Sequence, residues 1–231
     1  MKNPWFDIPL ADYEGHMALP NVGQAQLLSD VFASALSKYE PRSIAVLGCA
    51  GGNGFDRVSS KVTQRVVGVD LNPDYILRAR ARFAHRIRSI ELLVGDVQKD
   101  ELSFAPVELV FAGLLVEYVD AEAVLAKIQA MLCPGGMLLT VVQLPSAMIS
   151  EITPSQFASL GALSSVMRLV PPKLLRQLAA VHGYHETDAQ TLEATGGKEF
   201  HVQAFRLATP NHRPQPTPAS GRDRAGTLEG A

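Results

Sequence analysis

The sequence is short of most features that mark a secreted, metal-binding or nucleic-acid-binding protein. It has two cysteines, Cys49 and Cys133, in 231 residues. One follows a strand pattern and the other ends a helical one, so both read as reduced side chains of a cytoplasmic protein rather than as a disulfide. No Cys/His cluster has the spacing of metal ligands, and no metal site is expected. Neither sign of charge is in excess: the net charge is −2 and the pI about 6.3, against the basic surplus that non-specific nucleic-acid or membrane-surface binding needs. No apolar stretch approaches the ~20 residues of a membrane span. The start, Met1-Lys2-Asn3-Pro4-Trp5-Phe6-Asp7, lacks the apolar run of a signal peptide. No segment repeats. Residues 209–231 hold four prolines, three glycines and no aromatic, too little apolar surface to order a chain, and are expected to be disordered.

What is present is core material, 47% hydrophobic residues, enough for one α/β domain at this length. Its centre is Ile44-Ala45-Val46-Leu47-Gly48-Cys49-Ala50-Gly51-Gly52-Asn53-Gly54, an apolar strand running into a glycine-rich turn. A helix is expected to follow through about Lys61, with Phe55, Val58 and Val62 inward. Such a turn aims backbone N–H groups and a positive helix end at a crevice, and glycine lets a ligand approach the backbone. This is a nucleotide-type binding turn.

Around it, strand and helix alternate. A helix is read over 23–38, with Leu27, Leu28, Val31, Phe32, Ala35 and Leu36 at helical spacing. Val66–Val69 is a second strand, ending in Asp70. A helix from Pro73 to Arg88 starts at an Asn72 cap; Ile76, Ala79, Phe83 and Ile87 form its core stripe, and Arg78, Arg82 and Arg86 a solvated face. Ile90–Val94 and Val107–Phe111 are the third and fourth strands. Asp120 caps a helix carrying Val124, Leu125, Ile128 and Leu132. Cys133-Pro134-Gly135-Gly136 turns the chain into a fifth strand, Met137–Gln143. A mixed, helical segment over 149–167 and a helix over 173–181 lead to two β-rich runs, Tyr184–Leu192 and Phe200–Leu207, read as an antiparallel pair. The fold class is therefore α/β: a doubly wound, mostly parallel seven-stranded sheet, Rossmann-like, with the last strand antiparallel. Residues 1–22 form an N-terminal arm, irregular because Pro4, Pro9 and Pro20 break helices. With Trp5, Phe6, Tyr13, His16 and Met17, it either packs over the domain or serves as a lid on a ligand. The domain proper spans 23–208.

Ligands on such sheets bind outside the carboxyl ends of the strands. Gly48–Gly54, Asp70, Asp96 and Gly113–Tyr118 all fall there. A dinucleotide G-x-G-x-x-G fits poorly, because Ala50 and Asn53 stand where the second and third glycines belong, and counting from Gly52 puts Arg57 at the third. The run Val46–Gly52, with Val66-Val67-Gly68-Val69-Asp70-Leu71-Asn72, Val94-Gly95-Asp96-Val97 and Phe111–Val119, resembles instead the class I S-adenosylmethionine-dependent methyltransferases, over roughly residues 23–207. Gly48 and Gly52 match that family's glycines; Ala50 replaces the middle one, and Val46 stands where an acid is usual. The resemblance implies that S-adenosyl-L-methionine is the cofactor and S-adenosyl-L-homocysteine the product. It implies that Gly48, Cys49, Ala50 and Gly52 back the amino-acid end, that Asp70 accepts the two ribose hydroxyls with Leu71 along the ring edge, that Asp96 and Val97 meet the adenine, and that Gly113 opens the methyl-donor pocket.

A carboxylate has two oxygens and can take both hydroxyl donors at once, which makes Asp70 the firmest of these assignments. The donor methyl is already activated, so a base is needed only where the nucleophile carries a high-pKa proton. By position the catalytic candidates are Glu117, Tyr118, Tyr13 and His16; His182, His185 and His201 receive no role. No Asn-Pro-Pro-aromatic run follows the fourth strand, where Ala112-Gly113-Leu114-Leu115 stands. With the acidic charge balance, this favours a small-molecule acceptor, no nucleic acid and no membrane partner. Two alternatives stay open: a protein that binds the cofactor without catalysis, and a nucleotide-dependent oxidoreductase on the same kind of sheet.

Overall fold

A computed structural model describes residues 3–209; apart from Thr209, the segment expected to be disordered lies outside the described residues. Five α-helices and seven strands occur among them: α1 (Leu10–Met17), α2 (Gln24–Tyr39), β1 (Ser43–Leu47), β2 (Arg65–Asp70), α3 (Pro73–Phe83), β3 (Ile90–Val94), β4 (Val107–Gly113), α4 (Ala121–Met131), β5 (Leu132–Gln143), α5 (Pro172–Val181), β6 (Tyr184–Glu193) and β7 (Glu199–Leu207). The sheet order is β3-β2-β1-β4-β5-β7-β6. β1 to β5 pair in parallel and β7 runs antiparallel to both its neighbours, so the doubly wound seven-stranded architecture is the one the alternation of elements requires.

Side chains alternate across each strand and so feed two cores. Ile44, Val46, Leu109, Phe111 and Leu139 face the stripe Leu28, Val31 and Phe32 of α2 and Ile76, Ala79 and Phe83 of α3. Ala45, Leu47, Val110, Ala112 and Leu138 face Val124, Leu125 and Ile128 of α4 and Leu175 and Ala179 of α5. Each large side chain so buried contributes about 1.5–3 kcal/mol, which holds the carboxyl ends of β1, β2 and β4 in one rigid row.

Five local expectations are corrected. No α-helix follows the glycine turn; there is a single 3-10 turn, Phe55–Arg57. Gly52 and Gly54 take φ of 92° and 80°, which breaks helical geometry, and Val58-Ser59-Ser60-Lys61-Val62-Thr63 is poor in strong helix formers. Phe55 is nevertheless buried, edge-on to Phe83. The arm is not irregular: α1 starts directly after Pro9, which occupies the N-cap with φ −64°, and a proline at a helix start costs nothing. The segment over 149–167 forms a 3-10 stretch, Ala158–Ser165, rather than an α-helix. Finally, α3 stops at Phe83, a turn early, although Ile87 remains buried, and Cys133–Gly136 form not a free turn but a bulge inside β5, where Val107 pairs with Leu132 and Leu109 with Met137.

Candidate functional site

Above the carboxyl ends of β1, β2 and β4 lies a cleft of about 780 Å³. Its floor is Gly48 and Ala50 from the glycine turn, Asp70 and Leu71 after β2, Gly95, Asp96 and Val97 after β3, and Gly113, Leu114 and Leu115 after β4. Its roof is the arm: Asn3, Trp5 and Tyr13, with Tyr75 of α3 and Tyr118 at its sides.

Asp70 organises the floor. It is 8% exposed. Its Oδ2 accepts the Ala50 N–H at 2.8 Å and its Oδ1 the Asn72 N–H at 2.9 Å, so the carboxylate ties the glycine turn to the start of α3. Burial raises its pKa from 3.8 to about 6 against those N–H donors, which favour the charge. The turn is stitched to the same strand end by Gly48 and Cys49, whose N–H groups both donate to Val69 O at 2.9 and 3.0 Å. Ala50 and Leu114 sit at φ of 47° and 53°, a left-handed backbone that costs a non-glycine residue about 1–2 kcal/mol; both strained positions line the cleft. Asp96 folds back on its own loop, accepting the Gln98 N–H at 2.9 Å and pairing with Lys99 at 3.1 Å.

The roof is tied down by polar contacts to two separate segments, α3 with its cap and residues 155–159. Asn72 Nδ2 donates to Trp5 O at 2.9 Å and Tyr75 Oη to Ile8 O at 2.9 Å. Arg82 spans the joint: it donates to both Glu14 oxygens, at 2.5 and 2.9 Å, and to Gly51 O at 3.2 Å. One residue of the expected solvated arginine row thus latches the arm to the glycine turn. On the other side, Ser159 Oγ donates to Asp12 at 2.6 Å, and His16 Nδ1 and Ser155 Oγ are hydrogen-bonded at 2.9 Å. Trp5 packs edge-on against both Tyr13 and Tyr118, with ring centres 5.7 and 5.1 Å away, and Tyr13 stacks on Tyr75 at 6.2 Å. Burial, and then the Asp70 charge, raises the Tyr13 pKa; burial and Glu117 raise that of Tyr118. Both phenols are protonated at neutral pH.

Of the nine positions assigned to a cofactor, the fold brings Gly48, Ala50, Asp70, Leu71, Asp96, Val97 and Gly113 to the cleft. Cys49 and Gly52 are not in its lining. The Cys49 side chain is fully buried, and a Cβ on Gly52 would come within 2.5 Å of Phe83 and 3.0 Å of Phe55, so that glycine serves packing. Of the catalytic candidates, Tyr13 and Tyr118 line the cleft, whereas His16 and Glu117 do not. His16 is buried beside Lys198, which together with desolvation lowers its pKa. Glu117 is 1% exposed and turned away; its Oε1 accepts the Gln143 N–H at 2.8 Å, its Oε2 has no partner, and burial raises its pKa from 4.5 to about 7. Tyr75 escaped the sequence reading. Its signal is a tyrosine in the first turn of a helix that starts at a strand end, an apolar ring with a polar tip. Lys198, 2% exposed and donating to Glu151 O at 2.6 Å, had no signal in a Gly-Lys-Glu turn. Among the described residues no group of three His, Cys, Asp or Glu side chains is placed to hold a metal ion.

Residues 44–136 match a family model described as a methyltransferase domain. No curated protein matches the chain in sequence. Among solved structures, the N-methyltransferase NodS from Bradyrhizobium japonicum WM9 in complex with S-adenosyl-L-homocysteine is 18% identical, with 90% of this chain and 93% of that one covered and a TM-score of 0.57. Magnesium protoporphyrin IX methyltransferase from Synechocystis PCC 6803 with bound S-adenosyl-L-homocysteine is 10% identical, with 81% and 84% covered and a TM-score of 0.61. The cyclase SpnF is 12% identical, with 81% and 82% covered and a TM-score of 0.62. At these identities the likeness is one of fold.

Proposed function

We propose, for a chain that carries the methyltransferase domain of the class I, S-adenosylmethionine-dependent family over residues 44–136, that the cleft over β1, β2 and β4 binds S-adenosylmethionine and that the protein methylates a small-molecule acceptor in the cytoplasm. The observation that carries this reading is Asp70. Its oxygens accept the Ala50 and Asn72 N–H groups, with Leu71 N–H as a further backbone donor, and a carboxylate with about four lone-pair sites keeps capacity for a hydroxyl donor at the wall of the cleft. The remaining residues fit the same cofactor. In this reading Asp96 and Val97 meet the adenine, Leu71 the ring edge, Gly48 and Ala50 the amino-acid end, and Gly113 opens the methyl-donor pocket. Val46 is 4% exposed and part of the core, so no carboxylate serves the ammonium there, and that end is left to backbone carbonyls. The two cysteines are unpaired, in keeping with a reducing compartment.

When bound, the cofactor supplies a methyl group on a sulfonium: an acceptor lone pair bonds to the methyl carbon as the carbon–sulfur bond breaks, its electron pair staying on sulfur. The protein's part is alignment and exclusion of water. The Trp5, Tyr13 and Tyr118 rings close the cleft. The protonated phenols of Tyr13 and Tyr118 donate hydrogen bonds and take no proton, while Glu117 and His16 face other segments. The chemistry therefore rests on position rather than on a general base.

Calorimetric titration with S-adenosyl-L-homocysteine, with NADH as the control, tests the reading. Micromolar binding of the first and none of the second is expected. Binding of NADH alone would favour the oxidoreductase alternative, and no binding of either would reduce the likeness to fold. An acceptor screen scored by S-adenosyl-L-homocysteine release then separates an enzyme from a binding protein.

A further inference from the structure

A second, smaller space lies between the arm, the start of α2 and the 3-10 stretch. Trp5, Tyr13, Leu114 and Tyr118 line both it and the cleft, so the two share one wall. The rest of its lining comes from inside the molecule. Met17, Leu160 and Leu163 are buried and give it an apolar side. Among them stand two polar side chains, His16 at 5% and Gln24 at 7% exposure. His16 uses Nδ1 on Ser155 Oγ. Its Nε2 and the whole Gln24 amide have no hydrogen-bond partner among the described residues. Polar groups so buried and unpartnered are costly to keep unless something entering the space bonds to them.

Gln24 also begins α2. Gly23 caps that helix of 16 residues at φ 65° with no side-chain hydrogen bond, so its first N–H groups and its positive end have no protein acceptor. On the far side, next to Ile152, lies the ammonium of Lys198. It donates to Glu151 O at 2.6 Å and reaches Gln143 Oε1 at 3.5 Å, and among the described residues no carboxylate stands within ion-pair distance of it. Its charge extends to His16, whose pKa is lowered by burial and then by Lys198. None of the described lining residues is acidic. Of the acids nearby, Glu151 is exposed and Glu117 has its pKa raised to about 7 by burial. An ammonium entering here would meet a helix N-terminus and a second cation. A carboxylate meets N–H donors, an amide and a cation behind them.

We infer that this space holds the carboxylate of the methyl acceptor, a small carboxylic acid anchored on Gln24 and the first N–H groups of α2, with its apolar carbons on Met17, Leu160 and Leu163. The nucleophile is then presented past Leu114, the residue after Gly113, to the cleft. The use of the space rests on the methyltransferase reading, but its existence does not.

The test uses the full chain and three probes that share one branched carbon skeleton: isobutyrate, isobutyramide and isobutylammonium. Trp5 is the chain's one tryptophan and lines the space, so its fluorescence reads occupancy. Isobutyrate is expected to bind saturably, at least about fivefold more tightly than isobutyramide, as a charged hydrogen bond exceeds a neutral one. Isobutylammonium is expected not to bind. Isobutyrate should still bind when S-adenosyl-L-homocysteine is saturating. Its affinity should fall at least about fivefold in Gln24→Leu and further in Gln24→Glu, which keeps the shape and adds a repelling charge. Circular dichroism melts identify which variants are folded, and either one suffices. No saturable binding of isobutyrate, equal binding in wild type and a folded variant, or displacement by S-adenosyl-L-homocysteine would overturn the subsite. Isobutyramide or isobutylammonium binding as tightly as isobutyrate would overturn the carboxylate. A wild type that binds isobutyrate through Gln24 but does not bind S-adenosyl-L-homocysteine would keep the carboxylate site and overturn methyl transfer as its use.

Discussion

Two strand ends of this molecule each carry a buried carboxyl group, and they are put to opposite uses. Asp70, at the end of β2, faces the cleft with each oxygen held by one backbone N–H. Glu117, just beyond β4, faces away from the cleft, with one oxygen on Gln143 N and the other bare. Burial pushes both pKa values up, to about 6 and about 7. The difference lies in what surrounds them. Asp70 sits in a turn rich in backbone donors and still has lone pairs to offer. Glu117 is walled by the segment after β5, whose Arg168 N–H donates to the Glu117 carbonyl at 2.8 Å. A shifted carboxyl at a strand end is therefore not by itself a sign of chemistry; its direction decides.

The comparison can be broken most forcefully at Asp70. Asp70→Asn keeps the shape but removes the charge from a pair of oxygens proposed to take hydroxyl donors. Losing a charged hydrogen bond costs about 1.5–3 kcal/mol, so S-adenosyl-L-homocysteine affinity should fall roughly 10- to 100-fold by calorimetry. In wild type the hydroxyls favour ionised Asp70, so affinity should be flat above pH 7 and decline below about pH 6, where the carboxyl must first lose a proton. An unchanged affinity in the variant would remove Asp70 from the site.

Glu117→Gln should do the reverse: leave that affinity within about threefold and change stability instead. The folded-state pKa of Glu117 lies above its ordinary 4.5. The folded protein therefore holds a proton that the unfolded chain releases, and stability falls as pH rises from about 4.5 through about 7. At 1.36 kcal/mol per unit, wild type should lose about 2–3 kcal/mol between pH 5 and pH 8 relative to the glutamine variant. Urea unfolding at both pH values reads this directly. Parallel pH curves for the two proteins would show that Glu117 is not the titrating group.

The smallest effect is expected at Ala50, which shares its N–H with Asp70 but stands at φ 47°. Ala50→Gly relieves a left-handed alanine worth about 1–2 kcal/mol, offset by the ~0.5–1 kcal/mol of entropy that glycine adds to the unfolded chain. A gain of up to about 1 kcal/mol in urea midpoint stability is expected, with S-adenosyl-L-homocysteine binding almost unchanged. A large loss of binding would mean that the Ala50 methyl group itself touches the ligand.

What the sequence made legible was local. Strand β2 ending in Asp70, the Asn72-Pro73 helix start, Asp120 as a cap and the glycines after β1 are patterns a few residues long, and each sits where its pattern puts it. The helix expected after the glycine turn failed because two left-handed glycines and a weak helix-forming run outweigh the strand–turn–helix habit. Helix α1 was missed because Pro9 reads as a breaker, although it stands at a helix start. The rest was illegible for a different reason. Glu117 meets Gln143, Lys198 meets Glu151, and Trp5 meets Tyr118 only after the sheet has brought distant segments together. No short-range pattern encodes those meetings.

The roof has a consequence for motion. Its polar ties to the 3-10 segment join residues 139 and 147 positions apart, His16 to Ser155 and Asp12 to Ser159, whereas the sheet beneath is built mostly from neighbouring strands. Closing such long loops brings no return until the sheet exists. Of its ties to α3, Arg82 to Glu14 is a half-exposed pair of the kind worth no more than about 1 kcal/mol, beside the buried Tyr75 to Ile8 bond. We expect the arm to open at a lower free energy than the sheet, which native-state hydrogen exchange of its amides would show. Undocking of the arm alone is expected to open the cleft, with the strand ends that hold Asp70 left in place.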